Sequence, residues 1–151
     1  MTIPDRYPVL LGATAIGVYL LVVVGATTSL TDAAAACRGW PACGGGTALP
    51  AGASGWIALG HRLLAAVVGA AVLAAAVLAW RQRADRRVRG SILLALLLFP
   101  AQAGLGALVA LGTESLSVSG VTVSVGLVHL VLGLAIFGGV LAALAWWLEA
   151  A

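Results

Sequence analysis

The amino-acid sequence predicts an all-α fold: an integral membrane bundle of four helices. Two observations point to this class, because 62% of the 151 residues are hydrophobic and only 9% are charged. Soluble domains carry about 25% charged residues, so this chain has too few polar side chains to cover a water-facing surface. Intrinsic disorder is excluded as well, since disordered chains are poor in apolar residues and rich in charge.

Four apolar stretches are long enough to cross a membrane, whose hydrocarbon core of about 30 Å requires about 20 helical residues. They cover residues 8–30, 56–80, 91–112 and 121–148 of a single predicted transmembrane domain. The first stretch is expected to be a membrane helix rather than a cleaved signal peptide, because it is long enough to span and its N-terminal flank lacks a cleavage pattern.

The distribution of arginine predicts the orientation in a cell membrane. Five of the eight arginines lie in residues 81–90, and the chain contains no lysine. Because basic residues collect in cytoplasmic loops, this connection and both termini are expected in the cytoplasm. The loop 31–55 and the connection 113–120 are then extracytoplasmic. A nucleic-acid partner is excluded by the small number of charges, despite a net charge of +3.

The only two histidines, His61 and His129, lie within predicted membrane helices, where a polar side chain is a candidate functional residue by default. At 1.5 Å per residue they lie roughly 8 Å and 12 Å below the outer surface. Two imidazoles at similar depth in a helix bundle favour axial ligation of a heme iron. Alternatively, His61 bonds the loop or lipid headgroups and His129 bonds a neighbouring helix. Zinc and copper are disfavoured, because no Cys, Asp or Glu lies at ligand spacing.

Two further polar residues accompany the histidines. Arg62 either pairs with a heme propionate, a carboxylate that suits a guanidinium, or extends to the lipid headgroups. Gln102 follows Pro100, which frees a backbone carbonyl one turn earlier in the helix. Gln102 therefore either satisfies that carbonyl or faces the cofactor pocket.

Cys37 and Cys43 are the only cysteines, and the predicted topology places them on the outer side, where disulfides persist. An intrachain bridge is expected because Pro41 favours a turn between them. The bridge either fixes the outer loop over the bundle or exchanges electrons with a thiol oxidoreductase.

The chain resembles the heme A synthase family along its whole length. The segments that carry the resemblance are residues 25–32, 37–43, 61–62, 102–108 and 129–130. Typical members have eight helices in two similar halves, and this chain is similar to one half, as in the short archaeal forms. The resemblance implies that the two histidines hold heme and that the two cysteines form a disulfide.

One departure from the family pattern concerns a glutamate three residues before the first histidine. That position is Ala58 here, and Ser29 replaces an arginine at the loop entrance. Asp32 and Glu114 are the only acidic residues on the predicted outer side, and neither is one turn from His61. A carboxylate at that position can move protons, whereas alanine cannot. No catalytic residue is therefore assigned.

The resemblance implies an enzyme that oxidises a methyl group of heme O towards heme A for terminal oxidases. The expected cofactor is heme b, with heme O as substrate and heme A as product. The alternatives are a b-type cytochrome that relays electrons between a quinone and the cysteine pair, and an assembly protein without cofactor. Expected partners are the lipid bilayer, a second copy of the chain, and a heme O synthase or thiol oxidoreductase.

Overall fold

The structure, a computed structural model, describes residues 3–31, 33–45, 49–50 and 52–150. Its elements in chain order are α1 (Ile3–Leu30), α2 (Ala33–Ala36), a 3-10 turn (Cys43–Gly45), α3 (Gly52–Arg81), α4 (Arg86–Ala110), β1 (Ser115–Val118), β2 (Val121–Ser124) and α5 (Val125–Ala150). Four of these helices, α1, α3, α4 and α5, are long and apolar enough to cross a membrane. The predicted class, a mostly helical four-helix membrane protein, is confirmed.

The arginine-rich stretch forms helix ends rather than a long loop. Helix α3 continues to Arg81, and α4 already begins at Arg86 instead of near residue 91. The early start follows from Asp85, whose side chain accepts a hydrogen bond of 2.8 Å from the backbone N–H of Arg87. A carboxylate at this position satisfies one of the unpaired N–H groups of the first helical turn.

A β-hairpin joins α4 to α5, where the sequence predicts a loop followed by the fourth helix from residue 121. Strands β1 and β2 pair antiparallel, with Val118 opposite Val121. The turn residues Ser119 and Gly120 both have positive φ, as a two-residue hairpin turn of type I′ requires. The β-branched residues after the turn favour the strand, so α5 starts only at Val125.

The four long helices pack in a ring. Helices α1 and α4 each contact both α3 and α5, which places α3 and α5 at opposite corners of the bundle. The short helix α2 lies against α1, α3 and α4 at the end that carries the cysteines. Side chains from α3 and α5 can therefore meet only across the interior of the ring.

The main apolar core fills the half of the bundle nearest the arginines. Its residues recur at intervals of three or four on each helix, as expected for helix faces that pack together. The fully buried members include Leu11, Val18, Val68, Val72, Ile92, Ala95, Ile136 and Val140. Tyr7 is buried with them, and its hydroxyl donates to the carbonyl oxygen of Ala75 over 3.1 Å. A second, smaller cluster lies at the opposite end and consists of Ala33, Cys37, Cys43 and Ala58.

Candidate functional site

The candidate site lies where the apolar core has no fully buried side chains and is continued only by partly buried residues such as Leu64 and Phe99. Among the described residues, no fully buried apolar side chain lies within 19–31, 59–67, 96–109 or 126–132. This interval lies between the main core and the cysteine-end cluster, and on α3 it extends over about 13 Å at 1.5 Å per residue. The polar side chains His61, Gln102 and His129 all belong to it. Each lies on a different helix: α3, α4 and α5 respectively.

His61 packs directly against the backbone of α1. A Cβ atom placed on Gly25 would lie 2.9 Å from Cε1 of the imidazole, closer than real Cβ contacts allow. Glycine at this position therefore lets the imidazole approach the neighbouring helix. The Nδ1 atom of His61 is buried and has no hydrogen-bond partner among the described residues.

His129 has the same arrangement on the other side of the bundle. A Cβ on Gly106 of α4 would lie 3.2 Å from its Cε1 atom, and its Nδ1 atom is also buried without a partner in the described part of the chain. The Nε2 atom of Gln102 lies 3.5 Å from Nε2 of His129. A Cβ on Gly133 would in turn lie 3.1 Å from the Gln102 amide nitrogen. Gln102 thus faces the histidine, and its predicted place in a cofactor pocket stays a prediction.

The spacing along α4 and α5 explains this packing. Gln102 and Gly106 are one helical turn apart, and so are His129 and Gly133, so each pair lies on one face of its helix. The two faces interdigitate. A polar side chain of each helix occupies the space that a glycine of the other leaves free.

The donor set suits a heme better than a bare metal ion. Two neutral imidazoles are sufficient as axial ligands of heme iron. The described residues contain no group of three or more His, Cys, Asp or Glu side chains that converge on one point, as a bare ion requires. The unpartnered ring nitrogens of His61 and His129 and the interrupted core between them are compatible with a porphyrin held across the ring of helices.

Arg62 holds the cysteine loop. Its guanidinium donates to the carbonyl oxygens of Cys37 at 2.7 Å, Gly39 at 2.8 Å and Pro41 at 3.3 Å. The partners predicted for Arg62, a propionate or the lipid headgroups, do not include the loop backbone. A contact with residues more than twenty positions earlier leaves no local sequence signal.

The cysteine loop covers the end of the bundle next to His61. Cys37 and Cys43 are bonded through their Sγ atoms, and both are buried. The backbone N–H of Gly39 donates to the carbonyl oxygen of Ala110 at the end of α4 over 3.4 Å. Ala58, which stands where the resembled family has a glutamate, is 4% exposed beneath this loop.

Of the two acidic residues on the predicted outer side, the structure describes only Glu114, and it does not join the site. Glu114 is exposed immediately before β1, and its carbonyl accepts from the backbone N–H of Val125. Asp32 lies outside the described residues.

Comparisons with known proteins connect the chain to heme-modifying enzymes. It is 44% identical to "Protoheme IX farnesyltransferase" of Haloquadratum walsbyi over 144 residues, and 49% identical to that of Haloarcula marismortui over 146 residues. These matches cover 95% and 93% of the chain. They cover only 29% and 28% of the relatives, so the chain spans about three tenths of their length. No protein-family model matches the chain.

The similarity to heme A synthase is weaker and partial. "Heme A synthase" of Geobacillus kaustophilus is 41% identical over 92 residues, which cover 60% of the chain and 29% of that protein. The expected oxidation of heme O to heme A is therefore wrong, because the stronger and longer matches are to enzymes named for farnesyl transfer to protoheme IX. The alternative function, an electron relay between a quinone and the cysteine pair, is not proposed either. What the comparisons show is similarity to part of membrane enzymes that act on heme.

Proposed function

We propose that this chain is a membrane-embedded heme-binding unit that serves heme O synthesis, with His61 and His129 as the iron ligands. The observation that carries the proposal is the break in the apolar core. At this level the interior of the bundle holds two imidazoles from opposite corners, each with an unpartnered ring nitrogen. The similarity to protoheme IX farnesyltransferases supports protoheme IX, or its farnesylated product heme O, as the bound molecule.

The side chains around the site have separable roles in this proposal. His61 and His129 hold the heme, and Gly25 and Gly106 allow each imidazole to pack against the adjacent helix. Gln102 contacts Nε2 of His129, and with its amide oxygen turned to accept from the Nε2–H it would leave Nδ1 of His129 free to bind iron. When bound, the heme supplies the porphyrin on which the relatives' named reaction takes place. Arg62 and the cysteine loop close the outer end of the bundle and restrict access of water to His61.

The chain is assigned the binding of heme rather than the transfer of the farnesyl group. Departure of an anionic leaving group needs converging positive charge, from cationic side chains or from a metal held by carboxylates. Near the histidines the cationic side chain of Arg62 is bound to loop carbonyls. Among the described residues, no three His, Cys, Asp or Glu side chains converge where they could hold a metal. We therefore place the transfer step in the seven tenths of the relatives that the chain does not span.

A heme titration of the purified chain in detergent tests the proposal. The wild-type protein is expected to bind heme with the absorption spectrum of a six-coordinate, bis-imidazole iron. His61→Ala and His129→Ala are each expected to lose that spectrum and at least about tenfold in affinity, which is about 1.4 kcal/mol. Gln82→Ala, a polar-to-alanine change at the opposite end of the bundle, serves as the control. If both histidine variants keep the wild-type spectrum and affinity, the ligand assignment is wrong.

A further inference from the structure

The arginine end is the end of the bundle opposite the cysteine loop, and it carries most of the charged side chains of the chain. Six of the eight arginines and three of the five carboxylates belong to this end, so the whole net charge of +3 lies there. The carboxylates are Asp5, Asp85 and Glu149, and Asp85 is already used as the cap of α4. The cysteine end, with two arginines and two carboxylates, carries no net charge.

Two of these arginines are held by tryptophan rings. The guanidinium carbon Cζ of Arg87 lies 5.0 Å from the ring centroid of Trp146, and that of Arg89 lies 5.9 Å from the ring of Trp80. A guanidinium whose flat face packs on an aromatic ring keeps its in-plane N–H groups free to donate to a ligand. Those groups match the oxygen atoms of a phosphate in a bidentate manner. The tryptophans therefore preorganise two phosphate-binding groups.

A cleft lies at the same end of the bundle, lined by residues next to these arginines in the sequence. It has a volume of about 210 Å³ and is lined by Gln82, Ala84, Asp85, Val88, Trp147 and Ala150. Both side-chain polar atoms of Gln82 and the Nε atom of Arg89 are buried without hydrogen-bond partners among the described residues. Buried polar groups of this kind normally have partners, so they offer donors and an acceptor to a polar ligand.

We propose that this end of the bundle binds the headgroup of an anionic phospholipid. Lipid phosphates are bound by Arg87 on the side of α4 that faces Trp146 of α5 and by Arg89 on the side that faces Trp80 of α3. The Gln82 amide in the cleft binds a polar group of the headgroup. A lipid rather than a soluble phosphate is indicated because these residues lie at the ends of membrane-spanning helices, beside tryptophans of the kind that occupy membrane interfaces. The site is independent of the proposed heme function.

Lipid retention by the wild-type chain is the first test. The protein is extracted from vesicles of equal parts phosphatidylglycerol and phosphatidylcholine, and the lipids that stay bound are counted by native mass spectrometry. Enrichment of phosphatidylglycerol by about thirtyfold is expected from two interfacial arginines that contribute about 1 kcal/mol each. Equal retention of the two lipids would overturn the proposal without any variant.

Variants distinguish a stacked site from diffuse charge. Arg87→Gln/Arg89→Gln is expected to abolish the enrichment, and Arg87→Lys/Arg89→Lys is expected to reduce it severalfold, because lysine keeps the charge but loses the bidentate geometry. Arg38→Gln, an exposed arginine at the cysteine end, should leave the enrichment unchanged. Full enrichment in the lysine variant contradicts the stacked site. If millimolar glycerol phosphate displaces the bound lipid, the assignment of the site to a lipid is wrong.

Discussion

Each histidine of the candidate site depends on a glycine of the neighbouring helix for its position. The ring of His61 packs against Gly25, and the ring of His129 packs against Gly106. The two contacts have the same chemistry although they join different helix pairs. Each proposed ligand can thus take its position because the neighbouring helix has no side chain at the point of contact.

Substitution of these glycines is expected to impair heme binding. In Gly25→Ala and Gly106→Ala the new methyl group meets an imidazole at 2.9 Å and 3.2 Å, so the ring must move. Overpacking of this kind costs about 1–3 kcal/mol, and we expect heme affinity to fall about tenfold or more. The measurement is the heme titration described for the histidine variants.

Matched controls lie on the same helices. Gly12 and Gly104 have nothing within 4 Å of an added Cβ, so Gly12→Ala and Gly104→Ala should bind heme as the wild type does. Equal losses in all four variants would show that the effect belongs to the helix backbone and not to the contact with histidine.

At the scale of elements, one side chain makes most of the hydrogen bonds between the cysteine loop and the bundle. Arg62 follows His61 directly on α3 and binds three loop carbonyls. The loop also reaches the end of α4 through the bond from Gly39 to Ala110. A displacement of the loop is therefore transmitted to the helix that carries a proposed heme ligand.

Replacement of Arg62 is expected to loosen this loop. The shorter, uncharged side chain in Arg62→Gln cannot bridge three carbonyls, and hydrogen bonds to charged groups contribute about 1.5–3 kcal/mol each. We expect a lower temperature of thermal unfolding and faster reduction of the Cys37–Cys43 bond by dithiothreitol. Arg38→Gln, which removes an exposed arginine of the same loop, is the control. Identical reduction rates in the two variants would refute the assigned role of Arg62.

For the molecule as a whole, the two ends of the bundle differ in charge and in covering. One end carries the arginines and the interfacial tryptophans, and the other carries the disulfide loop and the hairpin. Because arginine-rich connections stay in the cytoplasm, the loop and hairpin are predicted to be extracytoplasmic. The predicted self-association of the chain also belongs to this scale and stays a prediction.

Cysteine labelling tests the orientation. In a Cys37→Ser/Cys43→Ser background, Ser117→Cys on the hairpin and Arg83→Cys at the arginine end each provide one exposed thiol. A membrane-impermeant maleimide is expected to label Ser117→Cys in intact cells, and Arg83→Cys only after permeabilisation. The reverse pattern would invert the predicted topology.

The sequence motifs indicated the residues of the candidate site but not the reaction. The segments around His61, Gln102 and His129 predicted residues that the structure brings to one level of the bundle. The reaction inferred with them was wrong, since the stronger relatives are named for farnesyl transfer. The motifs describe where imidazoles and glycines pack.

The membrane class and the number of helices follow from the sequence alone, because the length and hydropathy of a segment are local properties. The rest depends on how each helix is rotated against its neighbours. Only the tertiary structure decided that glycines face the two imidazoles, that Arg62 binds carbonyls more than twenty residues away, and that Val121 starts a strand. These contacts join residues distant in the chain, and in an almost uniformly apolar sequence no periodic pattern marks the helix faces in advance.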